Sequence, residues 1–372
     1  MGFNEEDAKD PTTASRRPFA IDAGGETTAS PFDIEQRASD AEHQGFDGIV
    51  ATETLHDPFL ALTLAARSSS TLDLATGIAV AFARNPMSMA VAANDLQLIS
   101  GGRFTLGLGS QVQAHIEKRF SMPWSKPAAR MKEYVEALRA IWASFETGER
   151  LRFEGEHYRH TLMTPFFNPG PNPSGPPRIA LAGVGSRMTR VAGEVADAFF
   201  AHSFSTRKYL TEVSLPMLAE GAASAGRPSN AVAVSVPVFT AVGESRDEID
   251  AAILATRQQI AFYGSTPAYL PVLDAHGWAG VHERLHELSL RGEWAAMAGV
   301  ITDEMLSHFA VIGTPSEVAA QSIERFSGLA ARLSFYTTAD TRPQLVPQIL
   351  QAIDQHHLRE VPRNEAEDGA SA

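Results

Sequence analysis

Along the chain, short runs of β-branched and apolar residues alternate with longer stretches in which apolar positions recur every three or four residues. The short runs predict strands at 19–23, 47–53, 72–83, 103–109, 178–182, 197–202, 232–242 and 329–336. The stretches between them predict helices, and several carry start signals. Ser30, Pro31 and Asp33, then Asp57 and Pro58, then Asn85 and Pro86 each pair a capping side chain with a proline in the first turn. Ser245 and Glu248 form a capping box behind the seventh strand, and Gly101 with Gly102 stops the third helix. A helix is expected over 127–145, one from Ser205 broken at Pro216, and a last one over 343–356. Eight strand–helix units in one series predict a (β/α)8 TIM barrel, with an open doubly wound sheet as the rival.

Two segments interrupt the rhythm. Residues 147–177 are rich in Pro and Gly and read as an irregular insertion; residues 266–314 read as a helical insertion between strands seven and eight. The expectation is one barrel domain over 18–360. A polar arm (1–17) and a polar tail (361–372) flank it, both expected to be disordered.

Composition narrows the function classes. The chain of 372 residues has no cysteine, so disulfides, thiolate nucleophiles and thiolate metal sites are excluded. A net charge of −13 without a Lys/Arg-rich stretch argues against nucleic acid as a partner. The longest apolar runs, such as 72–82, fall well short of the roughly 18 residues a membrane span needs. No signal-peptide pattern opens the sequence, and a cytoplasmic protein is expected.

Several motifs carry candidate chemistry. His282, Glu283 and His286 spell H-E-x-x-H, yet the longer zinc form fails at Ser289 and Gly292, so no metal is expected there. Gly183, Val184, Gly185 and Ser186 follow strand five and open a helix. Met188 occupies the third glycine position of a dinucleotide fingerprint, which leaves either an anion-binding turn or a plain tight turn. Gly107 to Ser110 is not a nucleophile elbow, because Val112 stands where glycine is needed. Ser110, Gln111, Gln113 and His115 nonetheless put polar groups at the C-terminal end of strand four, the active-site rim of a barrel. Glu53 and His56 stand at the end of strand two, where they either perform acid–base work or serve the cap of the next helix; His202 ends strand six.

Taken in order, these residues resemble the bacterial-luciferase-like superfamily. The resemblance is carried by Asp47–Gly48–Ile49 leading to Glu53, by Thr76–Gly77–Ile78 with Arg84–Asn85–Pro86, and by the run LISGGRFTLGLG at 98–109. It resumes at Ala182–Gly183, Ala192–Gly193 and Ala196–Asp197 and spans nearly the whole chain. Residues 262–267 (FYGSTP) and 313–315 (GTP) bring it nearest to the branch that uses coenzyme F420. The resemblance implies a barrel that is dimeric or larger, with its cofactor at the C-terminal face. It implies a non-proline cis peptide at Gly77–Ile78 propping the cofactor ring. Glu53, Ser110, Gln111, Gly183, Val184, Gly185 and Ser186 would hold the ring substituents and phosphate tail, and His115 would be a polar active-site residue. Val112 departs from the acidic residue of a relative, which leaves Glu53 or His115 to supply a proton. The activity implied is hydride exchange between F420 and a small organic substrate. An FMN-dependent monooxygenase is the alternative, and a non-catalytic flavin- or deazaflavin-binding protein lies outside the enzyme class.

Overall fold

In the computed structural model the described residues are 17–24 and 30–360. The expectations of disorder for 1–16 and 361–372 therefore lie outside the described residues. Arg17, counted with the arm, is held: its guanidinium pairs with Asp47 at 3.1 Å and Asp354 at 2.5 Å.

Eight strands form the barrel. They are β1 Ala20–Ala23, β2 Gly48–Ala51, β3 Asp73–Thr76 resumed at Ala79–Val80, and β4 Phe104–Gly109. β5 Arg178–Ala182, β6 Ala198–Phe200, β7 Ala233–Val242 and β8 Arg332–Tyr336 complete it. Each pairs in parallel with its neighbour in sequence, and β8 also pairs with β1. That last pairing closes the sheet and excludes the open doubly wound alternative. Closure also removes the sheet edges, which otherwise present unpaired N–H and C=O groups.

Helices α1 Ile34–His43, α2 Pro58–Ser68, α3 Pro86–Ile99, α4 Gln113–Lys118, α5 Pro127–Thr147 and α6 Ser186–Val195 belong to the first half. α7 Leu215–Ser224, α8 Arg246–Gly264, α9 Ala279–Leu290, α10 Pro315–Phe326 and α11 Leu345–Glu360 follow. Three expected caps form: Asp57 accepts from Phe59 N–H, Asn85 from Ser88 N–H, and Ser245 with Glu248 closes a capping box. Two expectations need correction. Ser30 Oγ accepts from Phe32 N–H in a separate turn, and α1 starts only at Ile34 without a side-chain cap. Pro216 does not break the chain's helical path. A π-turn over Leu210–Ser214 leads into α7, and its wider spacing accommodates the proline ring against the preceding turn.

The two insertions behave differently. Within 147–177 a small hairpin pairs Phe153–Glu154 with Arg159–His160, and the Glu133 carboxylate on α5 accepts from three of its backbone N–H groups. Within 266–314 lies a strand that the pattern missed. Ala310–Gly313 pairs in parallel with Phe239–Val242, the C-terminal part of β7, which runs past its last pairing with β8 at Phe239. A second apolar core, including Phe204, Phe239, Leu273, Leu285 and Phe309, packs around it.

One irregularity matters for function. From Ala75 to Ala79 is four residues, while their partners Thr105 and Leu108 are three apart, so β3 carries one extra residue. The Gly77–Ile78 peptide there is cis. The Thr76 hydroxyl donates to Gly107 O at 2.8 Å and accepts from Gly107 N–H at 2.9 Å, replacing the ladder bonds the bulge removes. Only glycine fits at 107, where a Cβ would collide with the Thr76 carbonyl and the Phe200 ring.

Candidate active site

The bulge forms part of the floor of a cleft of about 1210 Å³ at the C-terminal ends of the strands. Gly77 and Ile78 line it, and next to them stands Thr52, one residue past β2. The Thr52 Oγ1 is buried and has no partner within the protein, so it is a polar atom available to a ligand. Ser110 and Gln111 follow β4 on the rim. Gln111 takes a left-handed backbone, φ 58°, and its side-chain oxygen accepts from Val112 N–H.

Across the cleft the chain leaves β5 through Gly183, Val184 and Gly185 into α6, whose N-terminus has no side-chain cap. Uncapped N–H groups and the positive end of the helix dipole together favour an anion. The two glycines differ. A Cβ at Gly183 would press on Met188 Cγ at 3.0 Å, whereas one at Gly185 would enter open space.

The third wall is aromatic. His202 past β6, Tyr263 at the end of α8, Tyr269 beyond it and Tyr336 at the end of β8 all line the cleft. His202 stacks on Tyr269 with centroids 4.6 Å apart and meets Tyr263 edge-on at 4.8 Å. Burial pushes the His202 imidazole down to about 4 and the Tyr269 phenol up to about 12, so both are uncharged near neutrality. Deeper in the barrel, Arg332 bridges Asp22 and Asp73, and the two carboxylates hold its guanidinium firmly charged against the cost of its burial.

The structure thus brings Gly77, Ile78, Ser110, Gln111, Gly183, Val184, Gly185 and Ser186 to one cleft. It does not bring His115, His56 or Glu53 there. On α4, Ile116 takes the buried position, and a rotation of about 100° per residue turns its neighbour His115 to solvent. His56 is exposed in the loop before Asp57, the residue that caps α2. The Glu53 carboxylate accepts from Val80 N–H at 2.8 Å and from Arg84 at 3.0 Å, so it braces the bulge from behind. His282 and His286 also have other employment: their Nδ1 atoms bond Gly264 O and Ser265 O at the end of α8. Among the described residues, no group of three or more His, Asp and Glu is placed to hold a metal. The sequence reading missed Thr52, Tyr263, Tyr269 and Tyr336. Position at or just past a strand end was a usable signal for Thr52 and Tyr336; Tyr263 comes from the last turn of α8 and Tyr269 from the insertion.

The chain belongs to the luciferase-like monooxygenase family, whose model matches residues 16–332. It is 53% identical over 301 residues to an uncharacterized protein of Mycobacterium tuberculosis, covering 80% of this chain and 88% of the other. It is 29% identical over 308 residues to the 5,10-methylenetetrahydromethanopterin reductase of Archaeoglobus fulgidus, covering 80% and 86%. In fold it matches the coenzyme F420-dependent tetrahydromethanopterin reductase of Methanopyrus kandleri. The TM-score is 0.73 at 21% identity, over 92% of this chain and 99% of that one.

Proposed function

We propose that this protein is a two-electron oxidoreductase in which coenzyme F420 exchanges a hydride with a small organic substrate. The observation that carries the reading is the pairing within one cleft of an unpartnered buried hydroxyl, Thr52, with an uncapped helix N-terminus at Gly185. A cofactor with a flat polar ring system and a phosphate has groups for both. The similarity to the archaeal reductase over four-fifths of the chain favours F420 as that cofactor.

Bound, F420 supplies a carbon centre that gives or takes a hydride. The chain's own residues do the rest. The Gly77–Ile78 segment supports the ring, and Thr52, Ser110 and Gln111 offer hydrogen bonds along its polar edges. Gly183 to Ser186 take the phosphate through backbone N–H groups. The aromatic wall excludes water beside the ring, and Tyr269 offers a neutral O–H to the substrate.

An FMN-dependent monooxygenase is the second reading, favoured by the description of the family itself. Titration of the purified protein with F420 and with FMN, followed by absorption and fluorescence, separates them. The expected result is saturable F420 binding at least tenfold tighter than FMN, without oxygen uptake. Tighter FMN binding with substrate-dependent oxygen uptake would overturn the proposal.

A further inference from the structure

Resting on the cofactor reading for calling the ligand a substrate, we propose that the aromatic wall of the cleft takes an uncharged, flat organic molecule with a carbonyl oxygen, and that the Tyr269 hydroxyl donates to that oxygen. Three observations lead there.

The first is the proton arrangement of the wall. Phe204 N–H donates to Nδ1 of His202 at 3.0 Å, so that nitrogen is the acceptor. A neutral imidazole then carries its hydrogen on Nε2, which faces Tyr269 Oη at 3.1 Å and donates to it. Tyr269 Oη is thereby occupied as an acceptor, and its own hydrogen points away from the histidine. The histidine fixes a neutral donor in place, and burial keeps it from becoming a cation in the physiological range.

The second is shape and surface. Tyr263 and Tyr269 meet at 87° with centroids 5.6 Å apart, and His202 packs on both. Ring faces and edges in this arrangement accept a flat apolar body better than a flexible polar one.

The third is charge. The charged residues that line the cleft are Asp22, Lys126 and Arg187. Asp22 is taken by Arg332, Lys126 pairs with Glu156 at 2.6 Å, and Arg187 sits on α6 beside the anion turn. None lies on the elements that carry His202, Tyr263, Tyr269 and Tyr336. A carboxylate against this wall would lose its water without a cation in exchange, whereas a carbonyl needs only one donor.

Equilibrium titration with 2-acetylnaphthalene, 2-naphthoate and 2-ethylnaphthalene at pH 7 tests the inference. The ketone should bind at least tenfold more tightly than the carboxylate of the same ring system. Tyr269→Phe should weaken ketone binding about three- to tenfold and leave 2-ethylnaphthalene unchanged, with a melting curve beside each protein. Carboxylate binding equal to or tighter than that of the ketone, or a folded variant that keeps full ketone affinity, would overturn it. The comparison of ketone with carboxylate on the unaltered protein, made with saturating inorganic phosphate so that the anion turn is filled, decides the matter even if the variant does not fold. F420 titration of the same samples keeps the two proposals apart: no F420 binding with the ketone preference intact removes the cofactor reading and leaves this one standing.

Discussion

At the scale of single residues, the anion turn depends on the space that one glycine leaves free. Gly185 has φ −74°, so any side chain is conformationally allowed there, and the space it would enter is open. Gly185→Val therefore tests the anion turn without testing the fold. A branched side chain in front of the N–H groups should remove two or three charge-assisted hydrogen bonds, each worth about 1.5–3 kcal/mol. Cofactor affinity should fall on the order of 100-fold, with the melting temperature within a few degrees of the parent. Equal affinities would place the phosphate elsewhere. His115→Ala serves as the control on the same titration, since its solvent-facing position predicts no change.

At the scale of elements, the bulge in β3 is held from both sides. Thr76 stitches it to β4, and Glu53 takes the Val80 N–H while Arg84 ties Glu53 to Asp57. Thr76→Val keeps the shape of the side chain and deletes both hydrogen bonds to Gly107, leaving its buried N–H without this acceptor. The expected cost is about 2–4 kcal/mol of stability, read as a lower denaturant midpoint with unchanged slope. An unchanged midpoint would show that the strands hold this register without the hydroxyl. The same scale explains the H-E-x-x-H motif. Helical spacing does put His282 and His286 on one face, with rings 5.7 Å apart, but that face meets the end of α8 and its free carbonyls. The pair thereby anchors the segment that carries Tyr263 and Tyr269.

At the scale of the whole molecule, a closed barrel and a second apolar core share the wall that holds His202. Burial there lowers its folded-state pKa from 6.5 to about 4. Between those two values the unfolded chain binds a proton that the folded chain does not, so stability falls as the pH drops through that window. The contribution is on the order of 1–3 kcal/mol. His276, lowered to about 4 by burial and then by His308 and Lys208, acts in the same direction from a more exposed position. Melting curves at pH 7 and pH 4.5 should show a loss for the parent protein and a smaller one for His202→Gln. Equal losses would mean that His202 does not couple folding to protons. Among the described residues, no helix is long and apolar enough to cross a membrane.

The strand–helix alternation was legible in the sequence because period and capping are local: Asp57, Asn85 and the Ser245–Glu248 pair act within four residues of themselves. Glycines at strand ends were legible for the same reason, and with them half of the cleft. Tertiary structure decided the rest. Whether Glu53 faced the cleft or the backbone of Val80 depended on a bulge in the neighbouring strand. Whether His115 or Ile116 turned inward depended on how α4 lay on the barrel. The aromatic wall joins side chains from positions 202, 263, 269 and 336, which no local pattern links. Ala310–Gly313 became a strand only because β7 runs past its last pairing with β8 and offers it an edge. Sequence determines these choices too, but through contacts between residues far apart in the chain, where burial and hydrogen-bond satisfaction outweigh local preference.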